Sequence, residues 1–597
     1  MEARLAVSPK GLSIQTMYRD YRDARLIINR QYQRKLVWTV SEKVKLIDSI
    51  MLNYPIPLIL LAEIPSVDGV AAPTLEVIDG MQRLNAIFSF IEHGFEVDGK
   101  CFDLDELPRA RQASEEGLFP SFGKDVERIT PKACADFLDY QLAVTAFSGE
   151  DEGRITDIFG RINSGGKQLS DQERRQAGVL SSFANMVREV SAELRGDVSK
   201  EQLALYEMPE ISIETQKNPH GYKLKAEDIF WCRQGIMRTN ELRDSDDEEM
   251  MIDICASILN GSPVDGSRAY RDSLYAVGSD NAKEINKKLK AYGADKLQTE
   301  VKLVFSALRA VVEGSSEAAN HFRTTVYSTA TSNSQKSPFY AVFMAFFDLI
   351  VKEGKYPDLY PELMGDLSGV AQKISVGQKQ TKAKDRKTNV NQVKGLIRDR
   401  FVASDVAAFS HGPGLILEFE NSIARSKTET SRYEFKQGIL RLDDQRGEDP
   451  NIFTVIIETI CGIANMGPEA DGFLYVGIAD RTEHAERIRE LDAVEPLKVR
   501  HVNVVGVERE AKVLGIDVEA YQKKFEDVIA NSELSEPLRT DVCTCIDTVT
   551  YKELEIMRIR VPAQKAISFV GNDAFYRVGS STKTATGPEI ATLTNKF

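Results

Sequence analysis

Apolar and polar positions divide the chain into three stretches with different rhythms. Up to about residue 185, short apolar runs alternate with helical periodicity. "LILLAEI" (58–64) and "TLEVID" (74–79) have the length and composition of buried strands. "SEKVKLIDSIML" (41–52) has apolar residues at 44, 46, 47, 50, 51 and 52, which predicts a helix capped by Ser41. "LSDQERRQAGVL" (169–180) sets Ser170 three residues before Glu173, the spacing of a capping box. From 186 to 400 the pattern is mostly helical, with "SSFANMVREVSAEL", "DEEMMIDICASIL" and "SPFYAVFMAFFDLIVKEG" as examples. From about 412 alternation returns. "GLILEFENS" and "SRYEFKQGI" read as strands and "IFTVIIETICGIANM" as a buried helix. "GFLYVGIAD", "HVNVVGVE", "LEIMRIRVP" and "AFYRVGS" read as further strands.

The pattern therefore predicts an α/β multidomain protein, with domains at 10–185, 186–400 and 412–597. A chain of 597 residues exceeds what one core supports. No apolar run reaches the ~18–20 residues that span a bilayer. The start, "MEARLAVSPKGLSIQ", has no long apolar stretch, so no membrane partner and a cytoplasmic location are expected. Of seven cysteines only Cys543 and Cys545 are close, which favours reduced thiols over a zinc site. A net charge of −14 excludes a chain coated in nucleic acid and leaves room for a local basic surface. Two charged stretches stand out. The acidic run Asp244, Asp246, Asp247, Glu248, Glu249 reads as a solvated helix start. Residues 379–400 carry eight Lys and Arg against Asp385 and Asp399, and read either as a solvated linker or as a phosphate-contacting segment.

Three polar clusters interrupt the apolar pattern of the first domain. They are "NRQYQRKLVW" (29–38), "VIDGMQR" (77–83) and "FGRINSGGKQLSDQE" (159–173). Arg34 and Arg83 have the forked geometry that binds phosphate oxygens. Gly165 and Gly166 let backbone N–H groups approach an anion ahead of a helix N-terminus. Asp79 is the carboxylate of the strand-to-helix seam and fits a general base or a stabiliser of developing positive charge. Tyr32 and Trp38 suit stacking on a base or sugar. The competing structural reading is that Asp-Gly is an ordinary turn and Asp79 caps the next helix.

Taken in order, "YQRKLVWTVSEKVKLIDSIMLNYPIPLILL", "VIDGMQRLNAIFSF" and "FGRINSGGKQLSDQE" resemble the ParB-like domain of GmrSD-type and SspE-type restriction proteins, over roughly 15–185. The resemblance implies a ParB/sulfiredoxin-like α+β fold in a bacterial anti-phage protein that acts on modified phage DNA. It implies a nucleotide-hydrolysing or modification-sensing pocket at Tyr32, Gln33, Arg34, Asp79, Gly80, Gln82, Arg83 and Asn163. Asp79, Gln82, Arg83, Gln33 and Arg34 are its candidate catalytic residues. Tyr32, Trp38, Gly80, Arg161, Asn163, Ser164 and Lys167 are its candidate nucleotide or DNA contacts. Two departures matter. Met81 stands where the family usually has Gln and offers no amide. The family's usual His-Asn-His nuclease partner has no counterpart among the six dispersed histidines.

Residues 415–597 resemble the AlbA-like divergent domain of Schlafen-type proteins. The signs are "RYEFK", a helix ending in Ala-Asn, a Gly-Ile-x-Asp strand end and "YRVGSS", in that order. Such domains bind nucleic acid, and some Schlafen members cut RNA with three carboxylates. The matching positions are Glu429, Glu434 and Asp480, which the resemblance marks as metal ligands, with Lys436 and Arg577 as nucleic-acid contacts.

The leading expectation is a defence enzyme that recognises modified phage DNA and damages it, by base excision as a DNA glycosylase or by strand cleavage. Excision requires no cofactor. Cleavage at the C-terminal carboxylates would take Mg²⁺ or Mn²⁺, and hydrolysis in the N-terminal pocket would take a nucleoside triphosphate. DNA is the expected partner and RNA the alternative. The competing functions are a nucleotide-gated Schlafen-like RNase and a non-enzymatic DNA-binding regulator.

Overall fold

Strands β1 (Val7–Ser13), β2 (Leu26–Asn29), β3 (Ile59–Ile64), β4 (Thr74–Asp79), β5 (Gln141–Ser148) and β6 (Gln202–Ala204) form one mixed sheet in the order β1-β5-β3-β4-β2-β6. The β5–β3 and β4–β2 pairs are parallel and the others antiparallel. The two apolar runs at 58–64 and 74–79 thus become neighbouring inner strands, as their lack of alternation predicts. The computed structural model describes residues 7–30, 36, 38–65, 73–123, 125–148, 170–176, 181–196, 202–208, 213–214, 224–327, 329, 332–374, 382–403, 413–426, 430–468 and 471–597. They divide into two units. One comprises Met1–Val301, Val311–Leu349 and Asp358–Arg400; the other comprises Lys302–Ala310, Ile350–Pro357 and Phe401–Phe597.

In the first unit, helices α1 (Val40–Met51) and α2 (Met81–Ile91) pack their apolar residues with Ile28, Leu61 and Val77 of the sheet. Helix α1 begins two residues earlier than the pattern predicts. Its cap is Thr39, whose hydroxyl accepts from the Glu42 amide while the Glu42 carboxylate accepts from the Thr39 amide. Ser41 lies inside the first turn; the reciprocal Thr39/Glu42 pair satisfies two backbone donors where Ser41 alone would satisfy one. The domain expected to end at 185 runs further. β6 lies beyond that boundary, and Leu203, Leu205 and Met208 join the same core.

Helices α3 (Asp171–Gln176), α4 (Ser182–Arg195), α5 (Asp246–Leu259), α6 (Arg268–Tyr275), α7 (Lys336–Phe347) and α8 (Ala383–Ile397) follow in the same unit. Ser170 precedes α3, while the Glu173 side chain expected to complete its capping box lies outside the described residues. The acidic run is not a solvated start. Asp247 and Glu248 are fully buried at the first turn of α5. Arg195 pairs with Asp247, and Gln176 donates to Glu248 at 2.7 Å. Arg175 bridges Glu249 and Asp272, each at 2.6 Å, and Arg271 bridges Glu249 and Asp253, each at 2.7 Å. The helix N-terminus favours these carboxylates, and the buried guanidinium groups neutralise them. The basic stretch is not a linker either, since residues 383–397 are helix α8 with Val390, Val393 and Ile397 buried.

The second unit is built on a four-stranded sheet. Its strands are β7 (Tyr433–Lys436), β8 (Gly472–Val476), β9 (Ile546–Tyr551) and β10 (Leu554–Val561), in the order β7-β8-β10-β9, with β7 and β8 parallel. Helix α9 (Pro413–Arg425) contains the segment "GLILEFENS", which alternation had marked as a strand. Ile416, Phe419 and Ile423 recur at helical spacing and pack in one cluster with Tyr433, Phe473 and Tyr475. Leu474 and Val476, on the opposite face of β8, pack with Ile456, Ile460 and Ile463 of helix α10 (Ile452–Ala464). β8 is therefore buried on both faces, which accounts for its unbroken apolar sequence.

Candidate functional site

The site is assembled where β4 ends. β3 and β4 pair Leu60 with Asp79 but Leu61 with Val77, so Ile78 is an extra residue on β4. Such a bulge bends a strand and re-aims the side chains at its end. Gly80 follows with φ of 103° and leads directly into α2. A Cβ at this position would stand 2.4 Å from Cδ1 of the buried Ile59, so both the backbone angle and the close packing require glycine.

The first turn of α2 presents the polar residues. Asp79 does not cap it; the helix has no side-chain cap, and Asp79 Oδ2 accepts from Arg83 Nη2 at 2.6 Å. Arg83 Nη1 donates to the Leu58 carbonyl at 2.9 Å. The Arg83 side chain is 10 % exposed and that of Asp79 is 32 % exposed. The guanidinium is thus fixed from two sides by packing and hydrogen bonds, and it orients a carboxylate that opens to solvent. Gln82 Oε1 accepts from the Trp38 amide at 3.3 Å, which ties the second polar cluster to the end of the first. Met81 points the other way and is buried in the core with Leu84 and Ile87. Its thioether fills a core position and does not line the open side of this site.

The apolar periodicity of α1 does not single out Lys43. The structure buries it beside the Phe95 ring, 5.8 Å from the centroid, and burial pushes its ammonium down to about 8. Tyr32, Gln33, Arg34, Arg161, Asn163, Ser164 and Lys167 lie outside the described residues. Of the first domain's predicted residues, the structure brings together Trp38, Asp79, Gly80, Gln82 and Arg83.

In the second unit, Glu434 and Lys436 lie on one face of β7, with Tyr433 and Phe435 on the other, as alternation predicts. Glu434 Oε1 pairs with Lys436 at 2.7 Å and Oε2 with Arg577 at 2.9 Å. Arg577 lies on β11 (Phe575–Val578), and its side chain is 1 % exposed. It also donates to the Tyr433 and Ser431 carbonyls and to the Thr582 hydroxyl. Arg577 is therefore a latch that holds β11 against β7. Both oxygens of Glu434 are engaged by cations, an arrangement that orients a carboxylate rather than leaving it open to a divalent metal. Asp480 is exposed in the turn after Ile478–Ala479, and Glu429 lies outside the described residues. Among the described residues no three His, Cys, Asp or Glu side chains are gathered as a metal site. Asn465, at the end of α10, gives a stronger structural signal than its sequence context. It donates to the Ser568 and Phe575 carbonyls and accepts from the Ser568 amide, which fixes the approach to β11.

Residues 14–180 match the family model described as GmrSD restriction endonuclease, N-terminal domain. No curated protein matches the chain. The matched span contains the whole Asp79 site, and the second unit lies outside it. No helix among the described residues is long and apolar enough to cross a membrane.

Proposed function

We propose that this chain is an anti-phage restriction-type protein that acts on DNA, and that the Asp79 site attacks a modified nucleotide of phage DNA by base excision. The ParB-like and Schlafen AlbA-like assignments of the two ends belong to this reading. The observation that carries the chemistry is a partly open carboxylate at a strand end, held by a guanidinium that is itself anchored to a backbone carbonyl. Arg83 occupies Oδ2, so Oδ1 is the oxygen that faces the reaction. A nucleotide flipped into the site would place its C1′ near that oxygen. As the bond from C1′ to the base nitrogen breaks, the carboxylate offsets the positive charge that develops on the sugar. Water adds to C1′ and gives its proton to Asp79, while the base leaves with the bonding pair and takes a proton from solvent, to which Asp79 then returns its own. This sequence needs no metal and no nucleotide cofactor.

Strand cleavage by the C-terminal carboxylates is the weaker reading, because Lys436 and Arg577 already hold Glu434. The two are separated by incubating the protein with glucosylated phage DNA and with plain DNA, each with divalent metal and with EDTA, followed by alkali. The expected result is alkali-labile sites on modified DNA alone. Their absence from every modified DNA tried, or cutting that EDTA abolishes, would overturn excision.

A further inference from the structure

Helix α8 separates its charges by face. Asn389, Val390, Val393 and Ile397 are buried, and Arg386 joins them by donating to Asp253 at 2.7 Å with its guanidinium 4.3 Å above the Tyr340 ring. The opposite face carries Lys384, Lys387, Thr388, Asn391 and Gly395, all exposed, with Lys382 exposed just before the helix. These positions recur every three to four residues, so they form one stripe along the axis. Three other cations of the segment are taken: Lys394 by Asp348, Arg398 by Asp399 and Arg400 by Asp366. Lys382, Lys384 and Lys387 have no carboxylate partner among the described residues.

We infer that this face of α8 is a binding surface for the phosphate backbone of duplex DNA. In a chain of net charge −14, lysines that pair with no carboxylate on one helix face suit a polyanion, even with Asp385 on the same helix and Asp265 accepting from the Ala383 amide. Successive turns place the ammonium groups about 5 Å apart, within reach of neighbouring phosphates on one strand. Thr388 and Asn391 add hydrogen-bonding groups of the kind that contact phosphate and sugar. Gly395 presents no side chain to hold the backbone off. The buried Arg386–Asp253 pair prevents the helix from rolling, so the lysines stay on one face. The surface reads no sequence; it would supply affinity and hold the duplex while the Asp79 site selects the nucleotide. The inference rests on the proposal that the chain acts on DNA.

The test is fluorescence anisotropy of the full chain on a plain 30-base-pair duplex across a salt series. Three variants are compared with wild type: K382Q/K384Q/K387Q, the same three positions changed to Arg, and Lys384→Gln alone. With one counterion contribution of about 0.9 per phosphate contact, the triple Gln variant should lower the slope of log K against log salt by about 2–3. It should also weaken binding on the order of a hundredfold at 0.1 M salt. Lys384→Gln alone should lower the slope by about 1, and the Arg variant should keep wild-type behaviour. A triple Gln variant with wild-type affinity and slope would overturn this surface and leave the Asp79 reading standing. So would an Arg variant as weak as the Gln one, since charge would then not be what was lost. Wild type that binds RNA duplex but no DNA, or no nucleic acid at all, would overturn both.

Discussion

At the residue scale the site depends on what Gly80 lacks. Its φ of 103° and its contact with Ile59 leave no room for a Cβ, and this tight turn sets the angle at which Asp79 meets Arg83. Gly80→Ala should cost about 1–3 kcal/mol, read as a lower urea midpoint, and should remove activity on DNA beyond what the lost stability explains. A loss below about 0.5 kcal/mol with full activity would show that the turn is not the device that aims Asp79. That Asp79, Gln82 and Arg83 gather at one place was legible because a carboxylate, an amide and a guanidinium interrupt two apolar runs. The role of Met81 was not legible. Sequence alone counts it as a lost amide, whereas the side chain sits in the core with Leu84. Which way a residue in the first turn points follows from the bulge at Ile78, and a bulge leaves no mark in the apolar pattern.

At the element scale, periodicity located most helices and strands and erred where two patterns overlap. "GLILEFENS" satisfies alternation over Leu415, Leu417 and Phe419, and helical spacing over Ile416, Phe419 and Ile423. The aromatic partners on β8 decide between them, and they are distant in sequence. The start of α1, displaced by two residues, shows the same limit at finer resolution. Thr39→Ala should destabilise the first unit by about 1 kcal/mol, while Ser41→Ala should change it by less than about 0.5 kcal/mol, measured by chemical denaturation. Equal losses would return the cap to Ser41. The acidic start of α5 was misread for a related reason. Burial of Asp247 and Glu248 depends on Arg195 and Gln176, which lie more than fifty residues away, and local composition cannot show such partners.

At the scale of the whole molecule, three domains were expected and two units are found. Composition shifts mark residue 185 as an edge, yet β6 and Leu205 carry the first core past it, and α3 docks on α5 through Gln176 and Arg175. The segments Lys302–Ala310 and Ile350–Pro357 belong to the second unit although the first surrounds them in sequence. No linker signal announces this, because the chain passes between units inside regular elements. The family match covers part of the first unit and contains the Asp79 site, while Glu434 in the second unit is held by two cations. The central claim is therefore that the first unit damages DNA through Asp79. The direct measurement is the product formed on modified phage DNA by wild type, Asp79→Asn and Glu434→Gln, each checked for folding by circular dichroism. The account predicts abasic sites from wild type and from Glu434→Gln, and none from a folded Asp79→Asn. Undiminished product from folded Asp79→Asn, or its loss only in Glu434→Gln, would contradict it.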